Sequence, residues 1–421
     1  MSHFPSVSSL RGAVAIFCLI WGTQFPILRA EPSPIPLTAD SAVALAVKGN
    51  KELAAARFLV REAEGRARGV GILPNPELET EVAAGQDSEG RVTAVIMQRF
   101  PLTGRLRLER QLSDLDVRMA GLEVREKEWQ LAVAVRKAFY EFAAAREALA
   151  ISNRQAEWAV AFAKSIAEGV DAGFRSKLDL QEATLAASTL QAKTEARRGL
   201  EIESAARLSS LLALSADSRF TLDEKLSLPK SIPAVRPVAA RPDLELAEVA
   251  LRTGEANISL SKATTWDDVG VGLFVEGERF RDDPTGIEPE ALAGLKLSIP
   301  LPIWQSGAGK VAEKEASRQR MSAKWESLRF AAQNQILFAH RMMALRYRSA
   351  SHFEGEVLPA ANEHVQENEA ASSRGEVPLQ AVFRARDRLA EIELSELEAR
   401  KEYFLAHSEW LGALGESKTN P

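Results

Sequence analysis

"QRFPLTGRLRLER", Gln98 to Arg110, and "SIPLPIWQSGAGKVAEKEASR", Ser298 to Arg318, make the same transition about two hundred residues apart. Each begins as a short apolar run of strand-like text. Each then meets a proline and a glycine-bearing turn, and continues as charged, proline-free helix text. Proline removes a ladder hydrogen bond and ends a strand, while glycine permits a bend. A chain that converts strand to helix in the same way twice carries an internal repeat.

Reading outward from these two phrases gives the repeat unit. Residues 102–228 contain no proline, and Leu112, Leu115, Met119 and Leu122 step by three and four, which is helical spacing. The text predicts one helix from Leu106 to about Val170, roughly 100 Å long at 1.5 Å per residue. A turn follows at "DAGFRSKLDL", where Gly173 suits a helix C′ position and Ser176 can cap the return helix, Asp179 to Leu212. The second half predicts a helix from Lys310 to about Ser372, kinked at Pro359, then a turn at Gly375, then a helix from Val377 to about Leu414.

Upstream, "GNKELAAARFLVREAEGRARG" pairs with "ARPDLELAEVALRTGEANISLSK", Leu53 aligning with Leu244. Two β-like runs follow each. In the first copy Leu78, Thr80 and Val82 alternate with Glu77, Glu79 and Glu81; in the second Val269, Val271, Leu273 and Val275 share one face. The unit is helix, strand, strand, long helix, turn, helix, written twice. The longer turn "RFRDDPTGIEPEA" replaces "QDSEG" in the second copy, and insertions belong in solvent-exposed turns. This divides the chain into 1–30, a first repeat over 31–214, a Pro-containing linker over 215–240, and a second repeat with a C-terminal tail over 241–421.

Residues 1–30 carry two basic and no acidic side chains around the apolar run "GAVAIFCLIWG", with a small residue at Ala30. This reads as a secretory signal peptide cleaved near Ala30. The alternative is a membrane anchor, but the run falls short of the roughly 20 residues that span a bilayer. Cys18 is preceded by Phe17, not by the small residue of a lipoprotein signal, so no lipid anchor is expected. The mature chain is then free of cysteine and of disulfides. Removing two of the chain's 53 basic side chains leaves 51 against 58 acidic. With no basic block, nucleic acid is not an expected partner. No later stretch reaches 18 apolar residues, so any membrane crossing must use β-strands.

The repeated plan resembles the TolC-like outer membrane factors, the exit ducts of tripartite efflux pumps and type I secretion systems, over nearly the whole mature chain. "LPNPELETEV", "RPDLELAEVAL" and "IPLPIWQSGAG" resemble the CzcC-like heavy-metal branch. The resemblance implies a mainly α fold with a small β part. Four strands from each of three chains form a twelve-stranded outer-membrane barrel, and the long helices continue it as a tube through the periplasm. A homotrimer agrees with physics, because four strands cannot close a barrel and an open edge is forbidden in lipid. The implied partners are outer-membrane lipid, a periplasmic adaptor (membrane fusion) protein and an inner-membrane pump of the resistance-nodulation-division type. The implied function is passive conduction of heavy-metal cations from that pump to the exterior of a Gram-negative-type bacterium. A duct for organic compounds or drugs, type I protein secretion, and a periplasmic coiled-coil scaffold are the alternatives.

The candidate residues follow. Pro101, Gly104, Pro302 and Gly307 mark the strand-to-helix junctions. By resemblance, Gly173, Phe174, Arg175, Ser176, Leu178 and Asp179 form one adaptor-binding tip, and Gly375, Glu376, Val377, Pro378 and Leu379 form the other. The family places a small or β-branched residue before each tip glycine. Ala172 fits and Arg374 departs, which leaves the second tip's contact chemistry open; the glycines can equally be plain helix caps. Strand alternation puts Glu77, Glu79 and Glu81 on one face, either as lumen carboxylates that favour cations or as an ordinary solvated face. No enzymatic chemistry, cofactor or metal site is expected. After cleavage His340, His352, His364 and His407 remain, with no two at i,i+4, and no phosphate-binding loop or nucleophile elbow occurs.

Overall fold

A computed structural model describes residues 34–85, 90–223, 226–237, 241–266, 268–282, 286–301, 303–304 and 307–416. The expected signal segment, Cys18 and Pro302 lie outside the described residues. In chain order the elements are β1 (Ile35–Leu37), α1 (Ala39–Gly49), α2 (Lys51–Ala67), β2 (Glu77–Ala84), β3 (Gly90–Phe100), α3 (Arg105–Asp171) and α4 (Lys177–Leu211). They continue with β4 (Phe220–Leu222), α5 (Pro242–Ala263), β5 (Val269–Asp282), β6 (Gly286–Ser298), α6 (Ala308–His352), α7 (Leu358–Ser373) and α8 (Leu379–Leu414).

The 67 residues of α3 form one unbroken helix, as the proline-free text predicts, and Gly121, the one expected breaker, lies inside it. β2, β3, β5 and β6 form one antiparallel sheet in that order. Its middle seam joins the two repeats, with Phe100 opposite Val269 and Gly90 opposite Arg279. The helices beneath keep the strand order. α2 packs on α3, α3 on α5, and α5 on α6, while α4 and α8 return alongside α3.

Four features depart from the sequence-based expectation. Most of the expected longer turn of the second hairpin is strand, because β5 continues to Asp282 and β6 resumes at Gly286. An extra helix, α1, precedes α2 and is capped by a reciprocal box between Thr38 and Ser41. The stretch read as a linker contains a strand, β4, which pairs in parallel with β1. At Pro359 the helix does not simply kink. A π-helical turn over Phe353–Val357 inserts between α6 and α7, and the Leu358 N–H reaches back to the Phe353 carbonyl. Proline has no N–H to donate, and the wider turn absorbs the mismatch without breaking the helix.

The main core lies midway along the helices, where α1, α3, α4, α6 and α8 meet β1 and β4. Phe139, Phe142, Leu208, Met343 and Trp410 are fully buried there. Tyr140 stacks on Phe404 with ring centres 4.7 Å apart. The linker crosses this core as a strap. Arg400 donates to the Leu226 carbonyl at 2.8 Å and Tyr347 to the Pro229 carbonyl at 3.0 Å, and the His340 ring lies 2.9 Å from the Pro233 carbonyl.

His407 packs in this core beside Trp410 and Tyr403. Burial, reinforced by the Arg136 and Arg236 charges, pushes its pKa from 6.5 down to about 4. The folded imidazole therefore refuses a proton that the unfolded chain accepts. The resulting stability is complete above the unfolded pKa and is lost as pH falls from 6.5 towards 4, by up to about 3 kcal/mol. His407→Phe should flatten the pH dependence of thermal unfolding in that window. An unchanged slope would mean that His407 is not the group responsible.

Candidate functional site: hairpin tips and the two faces of the sheet

The far ends of the helical hairpins are built alike. At the first, Gly173 has φ +80, the Phe174 N–H bonds the Gly169 carbonyl at 2.8 Å and the Gly173 N–H bonds the Val170 carbonyl at 3.0 Å. At the second, Gly375 has φ +75, with Glu376 to Ala371 at 2.9 Å and Gly375 to Ser372 at 3.0 Å. Both are Schellman closures, which place a glycine at the left-handed position. No neighbouring atom lies within 4 Å of a Cβ added at either glycine, so both tips face open space.

Their surfaces differ. On the first tip Phe174 and Leu178 are 86% and 71% exposed. Ser176 and Asp179 cap α4 reciprocally, at 3.1 and 3.2 Å. On the second, α8 starts after Pro378 without a side-chain cap, and Arg374 pairs with Glu376 at 2.7 Å. That pair holds the Glu376 carboxyl below its ordinary pKa. Arg374, which departs from the family pattern, is thus neutralised by its own tip. Asp179 does a second job: its Oδ1 accepts from Gln380 Nε2 at 3.1 Å, tying the two tips together. Above this contact Phe162, Ile166 and Phe383 line a cleft of about 370 Å³ rimmed by Arg175, Asp179 and Arg384. Neither Gln380 nor Phe383 carries a sequence signal, since their importance arises only from the docking of α8 on the first hairpin.

At the other end the sheet has two unlike faces. Leu78, Ile96, Leu273 and Leu295 stand in one row across all four strands, every one of them more than half exposed. Val82, Val92, Val271, Val275 and Leu297 extend this apolar face. The opposite face carries Glu77, Glu79 and Glu81 as the alternation predicts, but the carboxylates do not stand alone. Arg99 pairs with Glu77 at 3.1 Å and Lys296 reaches Glu79 at 3.2 Å from the far edge strand. Arg91 contacts Glu278 at 2.9 Å and Glu276 at 3.5 Å. A four-stranded sheet whose edge strands touch through side chains curls with its charged face inward. The outer edges of β2 and β6 have no strand partner among the described residues.

The junctions turn the chain by two devices. β3 stops at Phe100, just before Pro101, and Thr103 bonds the Ala263 carbonyl at 3.0 Å. Gly104 caps α3 at φ −72, which any residue can adopt, so its expected freedom is not used. Gly307 caps α6 at φ +71, and a Cβ there would meet Thr265 Oγ1 at 2.5 Å, so here glycine is required. Trp304, in the same junction, is 93% exposed. Among the described residues no group of three His, Cys, Asp or Glu side chains could hold a metal, and no helix is long and apolar enough to cross a membrane.

The chain superposes on solved outer-membrane channels. CusC, whose structures concern folding and transmembrane channel formation, matches with a TM-score of 0.70 at 16% identity, covering 90% of this chain and 92% of that one. VceC of Vibrio cholerae matches at 0.69 and 14% identity, covering 90% and 96%. The fold is that of the TolC-like outer membrane factors. In sequence the chain is 21% identical over 400 residues to the cobalt-zinc-cadmium resistance protein CzcC of Cupriavidus metallidurans, covering 94% of this chain and 90% of that protein. No family profile matches the chain. The two-faced sheet lies at one end of the long helices and the Schellman tips at the other.

Proposed function

We propose that this chain is the outer-membrane duct of a tripartite efflux system that exports heavy-metal cations. The carrying observation is the sheet: one face largely apolar and exposed, the other carrying the charged pairs, with both outer edges unpaired among the described residues. Such a sheet is stable in lipid only when copies close it into a barrel, apolar side outward. Three copies give twelve strands and make a homotrimer of the outer membrane. Trp304 and Phe100 sit where an interfacial aromatic belt would lie. Residues 1–30 direct export. The tips at Gly173 and Gly375 reach through the periplasm towards an adaptor protein, which couples the duct to an inner-membrane pump of the resistance-nodulation-division type.

Metal cations are favoured as cargo by the likeness to CzcC along nearly the whole chain. The barrel wall fits passive conduction: Glu77 and Glu79 are held by Arg99 and Lys296 and offer no ligand cage. Choice of substrate then rests with the pump. Deleting the gene should sensitise cells to cobalt, zinc or cadmium, or to monovalent copper or silver, and only where the partner pump is expressed. Sensitisation to detergents and antibiotics alone would make this a duct for organic compounds.

A further inference from the structure

We propose that neighbouring copies meet along an aromatic seam in the helical tube, with Phe58 on α2 of one copy packing against Phe330 on α6 of the next. The proposal deepens the trimer reading given above and rests on it.

The topology supplies the neighbours. Strand order β2–β3–β5–β6 is repeated underneath as α2–α3–α5–α6. The two unpaired sheet edges therefore continue into the two end helices of the row: α2 runs into β2, and β6 runs out into α6. When the β6 edge of one copy pairs with the β2 edge of the next, its α6 comes to lie beside the next copy's α2.

Chemistry says that both end helices are unfinished there. α2 turns Leu53, Ala56 and Ala63 towards its own chain and buries them. Phe58 projects from nearly the opposite side at helical spacing and is 62% exposed, with the Arg61 guanidinium over its ring, 5.3 Å away. α6 buries Ala332, Ile336, Ala339 and Met343, while Phe330 and Phe338 on its other side are 68% and 65% exposed. Large exposed aromatics facing away from the protomer on the two end helices of one row call for a partner that presents the same surface.

Their heights match. Arg57, next to Phe58, reaches Glu128 on α3 at 3.0 Å. Within one turn of Glu128, Arg125 reaches Glu245 on α5 at 2.9 Å. One turn back from Glu245, Arg241 reaches Gln335 on α6 at 3.0 Å. Phe330 lies little more than a turn from Gln335. A line of side-chain contacts across the four helices thus places Phe58 and Phe330 at one level on opposite ends of the row, where closing the ring brings them together. Helices packed at the usual 8–10 Å put two such rings in contact.

The test uses the full chain in outer membranes, treated with a short bismaleimide crosslinker. Phe58→Cys combined with Phe330→Cys should give covalent dimers and trimers on denaturing gels, while either single variant stays monomeric. Phe330→Asp should lower the temperature at which native trimers dissociate. Native trimers with neither crosslinking nor a shift in dissociation temperature would overturn the seam and leave the duct reading standing. A monomeric unmodified protein would overturn both.

Discussion

Gly173→Asp is expected to cut crosslinking to the adaptor, and metal resistance with it, more than tenfold while heat-resistant trimers persist on gels. The glycine sits at φ +80 with open space where a Cβ would go. The substitution therefore meets no clash and costs about 1–2 kcal/mol of left-handed strain. That is small beside the burial along α3 and α4, so assembly survives. A tip contact is different, since about 1.4 kcal/mol is tenfold in affinity. The new carboxylate also lands beside Phe174, whose exposed ring gives the first tip its apolar character. Gly173→Asn keeps the left-handed turn without the charge and should retain most function. Gly375→Asp should act in the same direction but less, because the Arg374–Glu376 pair already makes that tip polar. Full resistance and full crosslinking in both aspartate variants would reduce these glycines to helix caps.

Arg241→Met should destabilise the protein by about 3–5 kcal/mol, the usual cost of removing one member of a buried ion pair. Arg241 is only 4% exposed. It grips Asp243 with two bonds of 3.0 and 2.7 Å, donates to Gln335 at 3.0 Å and to the Ala413 carbonyl at 3.1 Å, and lies over the Trp129 ring at 5.3 Å. One side chain thus joins α3, α5, α6 and the end of α8. Methionine keeps the length and loses every one of these bonds, leaving the Asp243 charge in a largely closed site. Arg241→Lys should recover only part of the loss, because an ammonium cannot make the two-pronged contact. Thermal unfolding of detergent-solubilised protein followed by helical circular dichroism measures this. A midpoint unchanged in Arg241→Met would show that the network contributes nothing net.

Much of this architecture is written locally. The tip glycines, the capping residues at Ser176 and Asp179, the alternation of Glu77, Leu78, Glu79 and Thr80, and the unbroken text of α3 each depend on neighbours within a turn or two. Periodicity and capping express backbone sterics and local hydrogen bonds, which a sequence displays directly. The repeat gave the element order, but the residues read as a longer second turn lengthen the strands instead, since β5 runs to Asp282 and β6 resumes at Gly286.

What the sequence left open are the pairings between distant residues. Nothing near Glu79 announces Lys296, and nothing near Asp179 announces Gln380; each pair forms only after sheet and hairpins have docked. Arg241 stands in the chain as an ordinary residue before a proline, and becomes a four-helix joint only when α8 ends against it. The same limit applied to Pro359, where the text asked for a kink and the chain took a π turn instead. Sequence alone determined which faces are apolar, where helices stop and that the plan occurs twice, because those are short-range demands of the backbone. Tertiary structure alone decided which charge meets which, and which faces remain uncovered, because those follow from a sheet order that brings the two repeats together.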